Sequence, residues 1–159
     1  MPPNRRVWWV LVVVPVVVAS CSSGGGGSAS GGSGSASSDA ALRSAGTLLQ
    51  HQMATYRAAA QKCQAASSPV VCVEAADRTL GGQIHTYANL LAVGHGFTAP
   101  AGALATARNE AQTLANSLEI LGDAQPTQAN YDKVLNTFDV NGSIDQLRNA
   151  VTRLNGALG

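Results

Sequence analysis

Leu104, Ala107, Ala111, Leu114, Leu118 and Leu121 recur at steps of three and four up to Gly122, and no other feature of the chain narrows its fold as much. At 3.6 residues per turn these positions fall on one stripe of a helix, which must be covered by apolar surface from elsewhere. The same stepping returns three times. Leu42, Ala45, Leu49, Met53, Tyr56, Ala60 and Cys63 mark a helix that Asp39 is placed to open as N-cap. Val73, Ala76, Leu80, Ile84, Tyr87 and Leu91 mark a second helix beginning at Pro69, and Gly81-Gly82 within it predicts either a kink or a close helix contact. Ile144, Leu147, Val151, Leu154 and Leu158 mark the last, with Ser143 and Gln146 spaced as a capping box. A shorter helical stretch over 127–138, carrying Tyr131, Val134, Leu135 and Phe138, lies between the third and last stripes.

Short breakers separate the long stripes: Ser67-Ser68-Pro69, then Gly94 through Pro100. Short connections make consecutive helices antiparallel neighbours. No alternating strand pattern competes. The expected fold is therefore all-α, an antiparallel up-and-down four-helix bundle with an additional short helix, occupying residues 39–159. About 120 residues suffice for one core and exclude a second folded domain.

The first 38 residues read differently. Arg5-Arg6 precede the apolar run Val7 to Val18, which is too short to span a bilayer comfortably and matches the length of a signal core. Val18-Ala19-Ser20-Cys21 closes it, a small residue followed by a cysteine. The segment resembles a bacterial lipoprotein signal peptide with its lipobox. That resemblance implies cleavage after residue 20, a diacylglyceryl group and an N-linked acyl chain such as palmitate on Cys21, and attachment to the extracytoplasmic face of the cell membrane. Asn4 to Trp9 also looks like a partial twin-arginine export signal, although so apolar a core favours ordinary Sec export. Residues 21–38 then form a tether of Gly, Ser and Ala, expected to be a disordered coil of typical reach about 20 to 25 Å. The Gly/Ser linker and an Ala-rich, Lys-poor domain together resemble exported proteins of actinobacteria.

Assigning Cys21 to lipid leaves Cys63 and Cys72 as an even pair in a compartment where a disulfide persists. They flank the turn between the first two stripes, so a bond would staple that hairpin; two buried free thiols are the alternative.

Charge excludes two kinds of partner. With Arg5 and Arg6 set aside, eight Lys/Arg stand against nine Asp/Glu, scattered along the helices. Such a domain has no electrostatic footprint for nucleic acid or anionic lipid.

Chemistry has few candidates. Paired cysteines would put His51 level with His85, and the same reckoning across the next loop puts His85 near Glu110. A His/His/Glu layer inside a bundle would hold a divalent metal. Yet His51 falls between Leu49 and Met53, off the stripe, His85 sits at a stripe edge, and no Glu-x-x-His repeat occurs. Surface histidines and no metal are the expectation. His95, between two glycines, reads as a solvated loop residue, and Tyr56, Tyr87 and Tyr131 read as core aromatics. No nucleophile and base can be assembled once the cysteines are assigned, so no enzyme activity and no cofactor are expected. The sequence points to a membrane-anchored envelope lipoprotein, non-enzymatic, acting as an interaction or structural module with a possible envelope protein partner. A bundle that binds a small ligand or metal is the alternative.

Overall fold

A computed structural model describes residues 33–94, 96–123, 127–130 and 138–158. The signal segment, Cys21, most of the Gly/Ser tether, His95 and Tyr131 lie outside the described residues. Those described are helical, with turns and no strand. Four long helices account for most of them: α1 Ser33–Cys63, α2 Pro69–Val93, α3 Ala101–Gly122 and α4 Val140–Ala157. Of the short helix expected over 127–138, residues 128–130 are helical and 131–137 lie outside the described residues.

The helices form a bundle in which α1 packs on α2, α2 on α3, α3 on α4 and α4 back on α1. The stripes supply its core. Leu42, Leu49 and Met53 of α1, Leu80 and Ile84 of α2, Leu114 and Leu118 of α3, and Ile144, Leu147 and Leu154 of α4 are all buried in one cluster. Cross-helix contacts show the antiparallel order. Arg43 donates to the Leu158 carbonyl, Gln50 to Thr152 Oγ1, and Arg57 to the Asn141 carbonyl and the Asp145 carboxylate, so rising numbers on α1 meet falling numbers on α4.

Two helix starts and one packing register differ from the sequence reading. Asp39 does not open α1; the helix starts at Ser33, so the last six residues assigned to the tether are helical. The carboxylate of Asp39 is 4% exposed and turned inward, where it accepts from the Thr98 backbone N–H at 3.0 Å and from the Thr98 hydroxyl. A side chain committed to the α2–α3 connection cannot cap its own helix. The last helix begins at Val140 instead of after a Ser143 cap, because Asp139 accepts from the Gly142 N–H at 2.9 Å. A carboxylate there satisfies a free N–H and faces the positive end of the helix dipole. Asn141-Gly142, read as the end of the preceding segment, forms the first turn of α4.

The third difference is the register of α2 on α3. Gly81 packs against Leu118 and Ala115, and Gly122 against Arg78 and the Glu74 carbonyl. This pairing lies about one turn further along α3 than a symmetric loop would set it. Of the two expectations for Gly81-Gly82, the close contact holds at Gly81, whereas Gly82 faces open space and α2 runs unbroken.

Candidate functional site

α1 is tied to its neighbours at both ends. At one end Cys63 and Cys72 form a disulfide with Cα atoms 5.5 Å apart, and one to two turns away Tyr56 donates its hydroxyl to Asp77 at 2.7 Å. At the other, Asp39 holds Thr98. Pro69 occupies the first turn of α2, so its missing N–H costs no helical bond and the chain reverses directly from the turn into the second helix.

Between these ties α1 and α2 do not close. A groove of about 570 Å³ runs between them, with Leu48, Thr55 and Ala59 on one wall and Ala75, Thr79 and Gln83 on the other. A hollow of about 280 Å³ adjoins it, sharing Leu48, Gln52 and Gln83 and adding Ala45, Tyr87 and Leu90. A shallower depression on the flank of α1, lined by Ala40, Arg43, Ser44 and Thr47, meets the groove at Leu48 and His51. The space exists because Ala59, Ala75 and Ala76 are too short to fill it. On the next face the contact between α2 and α3 is close, since Gly81 has no side chain to hold Leu118 away.

The lining is apolar below, with polar side chains at the rim. Leu48 stands 57% exposed in the groove. Both Thr55 and Thr79 spend their hydroxyl protons on carbonyls one turn back, those of His51 and Ala75, which leaves their methyl groups and oxygen lone pairs to the groove. Gln52 and Gln83 line both hollows from opposite helices. Among the described lining residues there is no carboxylate; the basic side chains are Arg43, in the flanking depression, and His51, where that depression meets the groove. Asp77 lies fully buried beside the groove, and the Tyr56 hydroxyl points to it. Tyr87 is 3% exposed, and its hydroxyl has no partner among the described residues. Burial raises its pKa from 10.0 to about 12, because phenolate is costly away from water.

The histidine layer does not assemble. His51 faces the groove, whereas His85 leaves α2 on the side of α3, where its Nε2 lies 3.5 Å from the Glu119 carboxylate. Height was shared and direction was not. Glu119, nine residues beyond the expected Glu110, is the neighbour of His85; the register shift on α3 supplies about half of that distance. Among the described residues no three His, Cys, Asp or Glu side chains converge as a metal site would require. No described helix is long and apolar enough to cross a membrane.

The sequence reading placed His51, Tyr56, Ala76 and Leu80 but no groove between them, and it passed over Leu48, Gln52, Thr55, Thr79 and Gln83. A signal for them existed: the reckoning that levels His51 with His85 also sets Gln52 opposite Gln83, and Leu48 is a large apolar residue one step off its stripe. The chain matches no protein-family model, no curated protein and no solved structure.

Proposed function

We propose that the chain is a non-enzymatic lipoprotein of the cell envelope that binds through the groove between α1 and α2. In this reading residues 1–20 are the signal peptide and Cys21 carries the lipid. The domain is an up-and-down four-helix bundle with a short additional helix, held at the extracytoplasmic face of the cell membrane. Because α1 starts at Ser33, the tether is about a dozen residues, and its typical reach falls to about 17 to 21 Å. The address rests on Val18-Ala19-Ser20-Cys21, and the Cys63–Cys72 disulfide supports it, since such bonds persist outside the reducing cytosol.

The groove carries the binding half of the reading. It is a ligand-sized hollow with apolar walls and a few polar groups at its rim, as small-molecule sites have. A protein partner would call for a broader exposed apolar patch; the other large exposed hydrophobics, Val71, Val93 and Ile120, do not line it. His85 and Glu119 alone make a poor metal site, so the small-ligand form of the reading is the one the geometry favours.

Anchoring is tested by growing a lipoprotein-processing bacterium that expresses the full chain on alkyne-tagged palmitate. The label should appear on a mature N-terminus beginning at Cys21, and the protein should sediment with membranes. A Cys21→Ser chain should lose the label and the mature N-terminus. Recovery of wild-type protein without acyl label on Cys21 would remove the anchored reading.

A further inference from the structure

We infer that the groove takes an uncharged alcohol, a linear apolar molecule whose hydroxyl groups lie at its middle, against Thr55, Thr79, Gln52 and Gln83. This deepens the binding half of the proposed function and rests on it.

The register of α1 on α2 sets the slot out in layers. Cys63 meets Cys72 and Tyr56 meets Asp77, and in an antiparallel pair that register carries on along both helices. It places Thr55 across from Thr79 and, about 5 Å further on, Gln52 across from Gln83. Beyond these two polar layers lie Ala59 and Ala75 at one end, Ala45 and Leu90 at the other. The slot is thus polar in the middle and apolar at both ends. From Ala45 to Ala59 it follows α1 for about 21 Å, at 1.5 Å per residue, which leaves room for a limb on each side of a polar centre.

The polar layers ask for a particular kind of hydrogen bond. Thr55 and Thr79 give their protons to the carbonyls of His51 and Ala75 at 3.0 and 2.8 Å, so each shows the slot only oxygen lone pairs. A ketone, ester or ether oxygen gains nothing there, whereas a hydroxyl can donate. In the next layer Gln52 and Gln83 are half-buried, and neither carboxamide has a hydrogen-bond partner among the described residues. Each can accept a proton or give one. A hydroxyl, which does both, satisfies the two layers together.

Charge is absent from the match. No carboxylate lines either hollow, and their one basic side chain, His51, is exposed and stands beside the middle layers. An ion lying in the slot would lose water without gaining a buried counter-charge, a cost that an uncharged ligand escapes. Arg43 lines the outer depression, not the groove, and donates to the Leu158 carbonyl. The apolar limbs have walls to cover: Leu48 is 57% exposed, and the Tyr87 ring lines the smaller hollow. The Tyr87 hydroxyl is sealed from solvent and takes no part in the contact.

The test uses the isotope-labelled full chain in phosphatidylcholine nanodiscs, titrated with a dodecane bearing hydroxyls on its two central carbons and with the dimethyl ether of that diol. Affinities are referred to the free ligand left after partition into lipid, and binding is read from the side-chain amide signals of Gln52 and Gln83. The diol should shift both, and the ether, which cannot donate, should bind about tenfold more weakly. Thr55→Val with Thr79→Val keeps the shape of the slot and removes both acceptors; diol binding should fall about tenfold and ether binding should not fall. Thr106→Val, an exposed threonine of α3 with the same bond to a carbonyl one turn back, should leave both unchanged. Ala75→Trp, at an exposed position on the wall, fills the slot and should abolish binding of both ligands. Equal helicity and melting temperature in the variants show that no effect is unfolding. Equal affinity for diol and ether, or diol binding undiminished by the paired valines, would overturn the alcohol and leave the groove as a binding site. No shift with either ligand, or shifts that survive Ala75→Trp, would overturn both. The signals lie within the bundle, so a chain without lipid on Cys21 gives the same answer in buffer, and loss of the anchor is read separately.

Discussion

Tyr87 shows how little a stripe position says about the atoms at its tip. Its spacing marks it as a core residue, and it is one, yet the hydroxyl it brings inside has no described partner. Leaving a buried donor unsatisfied costs about 1 to 3 kcal/mol. Tyr87→Phe should therefore raise stability at neutral pH by about 1 kcal/mol, read from denaturant unfolding. The alkaline limb follows from the same burial. The folded state keeps the phenol proton up to about 12, whereas the unfolded chain gives it up near 10.0. Stability from this group is thus whole below pH 10.0 and is lost as the pH rises through the folded value of about 12. Unfolding midpoints measured below pH 10.0 and again near pH 12 should fall less in Tyr87→Phe than in the wild type. Asp39 makes the complementary case. Read as an exposed cap, it is a buried acceptor whose partner is 59 residues away in sequence. Nothing local distinguishes the two roles.

For the helices, pattern was a good guide to existence and a poor guide to ends. Every stripe residue of α4 is buried, and so are five of the six on α3. Ends depend on which side chain wins a few N–H groups, and a competing partner can decide that. Asp139 prevails over Ser143 at the start of α4, and Asp139→Ala should cost about 1 kcal/mol, with the loss visible as earlier thermal unfolding. Gly81 and Gly82, alike in sequence, call for opposite treatment. Gly82 meets nothing within 4 Å, so Gly82→Ala should stabilise by about 0.5 to 1 kcal/mol through helix propensity alone. Gly81→Leu has to push Leu118 aside and should destabilise by about 1 to 3 kcal/mol. A melting temperature that fell in both variants would show that α2 does not carry these two faces.

In the molecule as a whole, the disulfide joins cysteines nine positions apart at the closed end of the α1–α2 hairpin. Closing so short a loop restricts the unfolded chain by about 2 to 3 kcal/mol, which Cys63→Ser with Cys72→Ser should remove. Pattern alone carried the all-helical class, the four long stripes, their antiparallel order and the cysteine pair, because helix periodicity and turn chemistry act over a few residues. It also supplied Val18-Ala19-Ser20-Cys21, the local motif on which the proposed anchoring rests. Tertiary structure decided what those local signals leave open. It set α2 against α3 about one turn from the symmetric register, turned His51 and His85 to different faces, and drew Asp39 away from the helix end. It also left a slot between α1 and α2, because that depends on which small side chains meet across the two helices between their end ties. Such coincidences join residues distant in sequence, and their energies exist only once the helices have packed.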